Sequence, residues 1–260
     1  MTSGGHNRTK DPIDQTGAPP FSASDFVDDG KYHLLLAASG SVATIKLPNI
    51  IQGLAKRTDV SIRVLLTESS ANFLQGQSDE QPHIEAIRKY PNVDAIYRDE
   101  DEWRTPWTRG APILHIELRR WAHDMFIVPV SANTLAKLAY GLSDNLLTSV
   151  VRAWEVIPPS LVSRESQSAD TRFSRRPGLQ KVIYIAPAMN TAMWVHPATG
   201  EHLDKLVKYG TREGTFPWIE ILRPQEKELA CGDTGTGAMR DWQEILAKIE
   251  SCVETHELFP

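Results

Sequence analysis

The chain has 260 residues, 41% of them hydrophobic and 23% charged, which allows a sizeable core in one large domain or two small ones. Its formal net charge of -5 argues against a broad nucleic-acid surface, and no apolar run approaches the ~20 residues that a membrane helix needs. Two cysteines cannot build a disulfide framework, and the polar start lacks the basic-then-apolar pattern of a secretory signal. A cytoplasmic location is therefore expected, with the nucleus open as a second one.

Residues 1–30 are rich in Gly, Ser, Thr, Asp and Pro without periodicity and read as a disordered lead-in to a single domain over 31–260. From Lys31 onward, strand-like apolar runs alternate with helical spacing. The strands are expected over Tyr32 to Ala38, Ser61 to Thr67, Asp124 to Val130, Lys181 to Ala186 and Trp218 to Leu222. Continuous runs such as Met125 to Val130 suit strands buried on both faces, so the expected architecture is α/β: an open parallel sheet with helices on both faces. Between the first two strands, Val42 to Lys56 has helical spacing, and Pro48 inside it predicts a kink or a late helix start. Leu135 to Trp154 is helical with an interruption near Gly141 to Asp144. Pro158 to Gln180, with Pro158, Pro159, Pro177 and several serines, reads as a flexible surface insertion; Arg172, Arg175 and Arg176 within it read as a solvated loop.

Five segments could carry chemistry. Ala38-Ser39-Gly40-Ser41-Val42 runs from a strand through a glycine turn into a helix, a junction that aims backbone N–H groups at an anion. It lacks both G-x-G-x-x-G and G-K-[ST], so a plain strand-to-helix turn is an equal alternative. Ser131-Ala132-Asn133-Thr134 leaves a buried strand at its carboxyl end, where such sheets bind ligands; helix capping by Ser131 or Thr134 is compatible with anion binding there. In Pro187 to Trp194, Asn190 could offer an amide to a carboxylate or serve only as a turn former, with Met189 and Met193 as an apolar wall. His115, in the helical spacing of Leu114 to Trp121, is either a satisfied core histidine or an acid/base group. No second histidine stands at metal-ligand spacing, so no metal site is expected. Finally, Cys231 opens the glycine-rich stretch Leu229 to Met239, which reads as a mobile flap carrying a thiol or as a loop with an inert cysteine.

Taken in order, A-S-G-S-V-A (38–43), L-H-I-E-L-R-R-W-A (114–122), S-A-N-T (131–134), G-L-S-D-N-L-L-T (141–148), V-R-A-W (151–154), P-A-M-N-T-A-M-W (187–194) and L-A-C-G-D-T-G-T-G-A-M (229–239) resemble the homo-oligomeric flavin-containing cysteine decarboxylases. The resemblance covers Lys31 to Trp242 apart from the insertion. Within that family it is nearest to the branch acting on phosphopantothenoylcysteine in coenzyme A biosynthesis. It implies a flavodoxin-like or Rossmann-like three-layer sandwich, FMN as cofactor and a homotrimer. By the same resemblance, FMN is held by Gly40, Ser41, Val42, Thr67, Ser69, Ser131, Ala132, Asn133, Thr134, Ala188 and Met193. Substrate is bound by Asn190, Ala230, Cys231 and Gly232, and catalysis rests on His115, Asn190 and Cys231. The implied chemistry oxidises the thiol-bearing carbon to create an electron sink, releases CO2 and then reduces the product to 4'-phosphopantetheine, with Cys231 as proton donor. Two other readings accompany it: an inhibitory subunit of a protein phosphatase on the same fold, and a decarboxylase of peptide C-terminal cysteines. The intact set of His115, Asn190, Met193 and Cys231 favours the enzyme, and the Cys231 flap favours the reductive finish.

Overall fold

The computed structural model describes residues 22–104, 106–156, 181–210, 217–228 and 234–257. The insertion expected over 158–180 and the residues before Ser22 lie outside them. Strands β1 (Tyr32–Ala38), β2 (Val60–Leu66), β3 (Val93–Tyr97), β4 (Asp124–Val130), β5 (Ile183–Pro187) and β6 (Ile219–Ile221) form one sheet in the order β3-β2-β1-β4-β5-β6, with every pairing parallel. The expected α/β open sheet is thus present. The connecting helices, in chain order, are α1 (Leu47–Gly53), α2 (Glu68–Ala71), α3 (Ile84–Ile87), α4 (Asp99–Glu102), α5 (Leu114–Trp121), α6 (Ala132–Tyr140), α7 (Leu146–Arg152), α8 (Thr191–Trp194), α9 (Pro197–Gly210) and α10 (Trp242–Glu257).

Alternation along each strand divides the core into two layers. Leu34 and Leu36 of β1, Ile62 and Val64 of β2 and Phe126 of β4 pack with Ile50 and Ile51 of α1 and Ile245 and Ile249 of α10. The intervening Leu35, Ala37, Leu65, Met125 and Ile127 face Leu118 of α5, Leu135 of α6 and Val150 of α7. Every residue of β1 and β2 is buried, as parallel strands covered on both faces require. Each fully buried aliphatic side chain contributes roughly 1.5–3 kcal/mol, so these central strands anchor the domain.

Pro48 acts as its position predicted. Val42–Lys46 forms a 3-10 turn and α1 starts late, at Leu47, placing Pro48 in the first turn where a missing N–H costs nothing. The helical stretch after β4 divides at Gly141, whose φ of 69° closes α6 in the left-handed region.

Three features depart from the sequence reading. The lead-in expected to be disordered through residue 30 is ordered from Ser22: Ala23–Phe26 forms a 3-10 turn whose Ala23 N–H donates to Glu117 Oε2 at 2.7 Å. Phe26 covers the buried Arg63, whose guanidinium carbon lies 5.0 Å from the Phe26 and Trp121 ring centres. Tertiary contacts, not local pattern, order this segment. Strand β3 was not expected; it is an edge strand carrying the polar Asp94, too short and mixed to stand out. The glycine-rich stretch belongs in part to an antiparallel hairpin of β7 (Gln225–Glu228) and β8 (Thr234–Ala238), separate from the main sheet.

Candidate active site

Strands β1 and β4 are neighbours whose chains leave their carboxyl ends toward opposite faces of the sheet, and this divergence opens the crevice where doubly wound sheets bind ligands. Ser39, directly after β1, fastens the two exits together. Its N–H donates to the Pro129 carbonyl at 3.0 Å and its hydroxyl to the same oxygen at 3.2 Å. The Ser131 N–H in turn donates to Ser39 Oγ at 2.8 Å. Ser131 caps α6, accepting from the Thr134 N–H at 3.3 Å and donating to Thr134 Oγ1 at 3.2 Å. The remaining first-turn N–H groups of α6 have no partner within the helix, and its positive end adjoins the Ser39 turn.

Gly40 stands where this turn meets the start of α2. A Cβ there would lie 2.6 Å from Ser69 Cβ, so only glycine lets the β1 and β2 exits approach this closely. The approach is fixed by the Thr67 N–H, which donates to the Ala38 carbonyl at 3.2 Å, and by Thr67 Oγ1, which accepts from the Ser70 N–H. Gly40, Ser41, Val42, Thr67, Ser69 and the Ser131 to Thr134 turn therefore share the carboxyl edge of β1, β2 and β4.

The third turn follows β5 on the same edge. The Ala188 N–H donates to the Val130 carbonyl at 2.9 Å, placing Pro187 to Asn190 beside the α6 turn. Asn190 caps α8: its Oδ1 accepts from the Met193 N–H at 2.9 Å, which leaves its NH2 as an exposed donor. Asn190 is thus a turn former whose capping uses its oxygen and not its NH2. Met193 is 45% exposed and Val42 44%, two apolar surfaces on this edge. Hairpin β7-β8 closes over the β5 exit: the Met189 N–H donates to the Gly237 carbonyl at 3.0 Å. A Cβ at Gly237 would sit 2.2 Å from the Met189 oxygen, so glycine is needed for close approach; its φ is not positive. Ala230, Cys231 and Gly232, in the connection of this hairpin, lie outside the described residues.

His115 is in the first turn of α5, which runs back toward the start of β4, so this turn also lies at the carboxyl edge. Its Nδ1 is 2.7 Å from Glu102 Oε1 on α4. It is not a core histidine satisfied by backbone, and no described hydrogen bond joins it to Asn190 or Ser131. Burial raises the carboxyls of Asp99 and Asp101 on α4 above the usual range, while the Leu146 N–H, donating to Asp99, holds α4 against α7. Sequence reasoning passed over Ser39 and Glu102 as functional residues. Ser39 was visible only as part of A-S-G-S, and Glu102 ends an acidic run with the appearance of a solvated helix.

A family model described as Flavoprotein matches residues 22–254. The chain belongs to the flavoprotein family. Within it, a probable phosphopantothenoylcysteine decarboxylase from Arabidopsis thaliana is 41% identical over 212 residues, covering 81% of this chain and 83% of the relative. A solved structure of a cysteine-to-serine mutant of PPC decarboxylase, complexed with pantothenoylaminoethenethiol, matches with a TM-score of 0.65 and 38% identity over 86% of this chain and 99% of that one. The FMN binding protein AtHal3 matches with a TM-score of 0.61 and 38% identity over 86% and 98%. Two longer fungal relatives are matched over only part of their length: the chain spans 29% of a probable thymidylate synthase from Schizosaccharomyces pombe and 33% of Coenzyme A biosynthesis protein 3 from Saccharomyces cerevisiae.

Proposed function

We propose that this flavoprotein decarboxylates phosphopantothenoylcysteine to 4'-phosphopantetheine with FMN, in coenzyme A biosynthesis. The observation that carries the proposal is the union, on one sheet edge, of the Ser39–Ser131 junction with the outward-facing amide of Asn190. The residues present fit FMN. Hydroxyls of Ser41, Ser131 and Thr134 and the free first-turn N–H groups of α6 suit a phosphate, and the exposed Val42 and Met193 suit a flat aromatic ring. The missing side chain at Gly40, where a Cβ would meet Ser69 Cβ at 2.6 Å, lets the β1 and β2 exits close around this edge. When bound, FMN supplies the two-electron oxidation and its return, which give the departing carboxylate an electron sink.

The protein's own residues bind, orient and move protons. The Asn190 NH2 donates to the substrate carboxylate. A neutral donor suits this task, because the charge it holds must leave as CO2, and a cation would stabilise the ground state more than the transition state. His115, with Nδ1 engaged by Glu102, presents Nε2 for proton transfer. Cys231 protonates the carbon left after CO2 loss. The chain's other cysteine, Cys252, cannot take this part: it bonds the Tyr184 hydroxyl at 3.4 Å near the amino end of β5, and burial pushes its thiol up to about 11. The captured enethiol in the cysteine-to-serine relative supports a cysteine acting after decarboxylation.

The assembly belongs to the same proposal. His115 reaches no other site residue by a described contact, and Trp103 and Trp107 between α4 and α5 are 64% and 51% exposed, which favours a homotrimer in which His115 completes a neighbour's crevice. The experiment is to purify the protein, record its absorption spectrum and measure CO2 release by wild type and Asn190→Asp. Flavin bands and CO2 release that Asn190→Asp abolishes support the reading; a protein that stays colourless with added FMN overturns it.

A further inference from the structure

Glu102 carries a buried carboxylate that is only half paired among the described residues. Its side chain is 5% exposed; Oε1 is 2.7 Å from His115 Nδ1, and Oε2 is buried with no hydrogen-bond partner among the described residues. A half-satisfied carboxylate away from water opposes folding, so a residue kept in that state calls for a reason other than stability. Its backbone is held from both sides. The Arg98 N–H donates to Asp101 Oδ2 at 2.7 Å, Asp101 pairs with Arg104, and Asp99 accepts from the Leu146 N–H at 3.0 Å. Helix α4 is thereby fixed against α7 and delivers Glu102 to the first turn of α5.

The geometry points to Glu102 as the positioning residue for His115. A carboxylate accepts only, so the hydrogen of this bond belongs to Nδ1, and Nε2 becomes the nitrogen that faces the reaction. Unconstrained histidine favours the opposite tautomer, with its hydrogen on Nε2. Glu102 therefore sets both the ring's rotation and its proton inventory, as the carboxylate partner of imidazole does in hydrolytic triads. The inference deepens the proposed decarboxylase reading and rests on His115 acting in that site.

Reach and charge separate in two substitutions. Glu102→Gln keeps the length, but its NH2 can donate to Nδ1 as a carboxylate cannot, so His115 should turn to the Nε2-protonated form and kcat should fall at least about a hundredfold. Glu102→Asp keeps the charge but withdraws it by one methylene. It should release His115 to the Nε2-protonated form and lower kcat on the order of a hundredfold, within the ~10²–10⁴ range of general acid–base catalysis, with KM nearly unchanged. The tautomer is read from 15N-histidine NMR spectra of the folded protein, with the His115 signals assigned by their loss in His115→Asn. Wild-type kcat in Glu102→Asp, or a His115 still protonated on Nδ1 there, overturns the positioning role. The decarboxylase reading fails separately: the FMN-loaded wild type would then release no CO2 from phosphopantothenoylcysteine, whatever the spectra show.

Discussion

Replacing Gly237 with alanine tests whether the β7-β8 hairpin belongs to the site. The new methyl carbon would lie 2.2 Å from the Met189 carbonyl oxygen and 3.2 Å from that of Asn190. Carbon–oxygen contacts in sheets settle near ~3.3–3.6 Å, so β8 must retreat by about 1 Å. The retreat breaks the 3.0 Å bond from the Met189 N–H, worth about 1 kcal/mol. Because the hairpin is separate from the six-stranded sheet, the loss stays local. Thermal unfolding should therefore fall by only about 2–4 °C for each kcal/mol lost in a domain of this size. A 1 Å misplacement at reacting groups, by contrast, costs ~10²-fold in rate. Steady-state CO2 release should accordingly drop about a hundredfold in Gly237→Ala while the melting curve barely moves. Wild-type turnover would refute the seat of the hairpin on Met189 as a functional contact, and a collapse of the melting temperature would make that contact a structural one.

Gly40→Ala forces a Cβ to within 2.6 Å of Ser69 Cβ, so the β1 and β2 exits must part; dialysed protein should lose its flavin absorbance while its far-UV circular dichroism is retained. Asp124, whose carboxyl burial pushes up to about 6, gives a pH signature. Its folded value lies above the unfolded 3.8, so its contribution is fully present below pH 3.8 and is lost as pH rises through about 6. That displacement corresponds to roughly 3 kcal/mol, so Asp124→Asn should flatten the decline of unfolding free energy between pH 4 and 7; an unchanged slope in denaturant titrations would exclude the carboxyl as its source. If His115 serves a neighbour's crevice, mixing His115→Asn and Asn190→Asp chains within one trimer should restore about a quarter of wild-type activity, whereas a site within one subunit restores none.

The fold was legible where burial is two-sided. β1, β4 and β5 are mainly apolar runs that no alternating surface strand would show, β2 ends in Val64-Leu65-Leu66 although Ser61 and Arg63 interrupt its start, and Pro48 and Gly141 marked where helices begin and end. β3 was not legible, because Val93-Asp94-Ala95 reads equally as loop, and neither was the hairpin, whose Gln225 to Glu228 arm is wholly polar. The site divides in the same way. Each turn announced itself locally through glycine, serine or asparagine, but the bond from Ser131 to Ser39 joins residues 92 positions apart and has no local signature. Glu102 was hidden for an electrostatic reason. In Asp99-Glu100-Asp101-Glu102 four acids look alike, and only the tertiary fold buries the last of them against His115.

The most direct measurement of the central claim is mass analysis of the product after incubating the FMN-loaded protein with phosphopantothenoylcysteine. The account predicts stoichiometric loss of CO2 and formation of 4'-phosphopantetheine by the wild type, with Cys231→Ser releasing CO2 but yielding the unreduced enethiol. Recovery of unchanged phosphopantothenoylcysteine from the flavin-loaded wild type would contradict it.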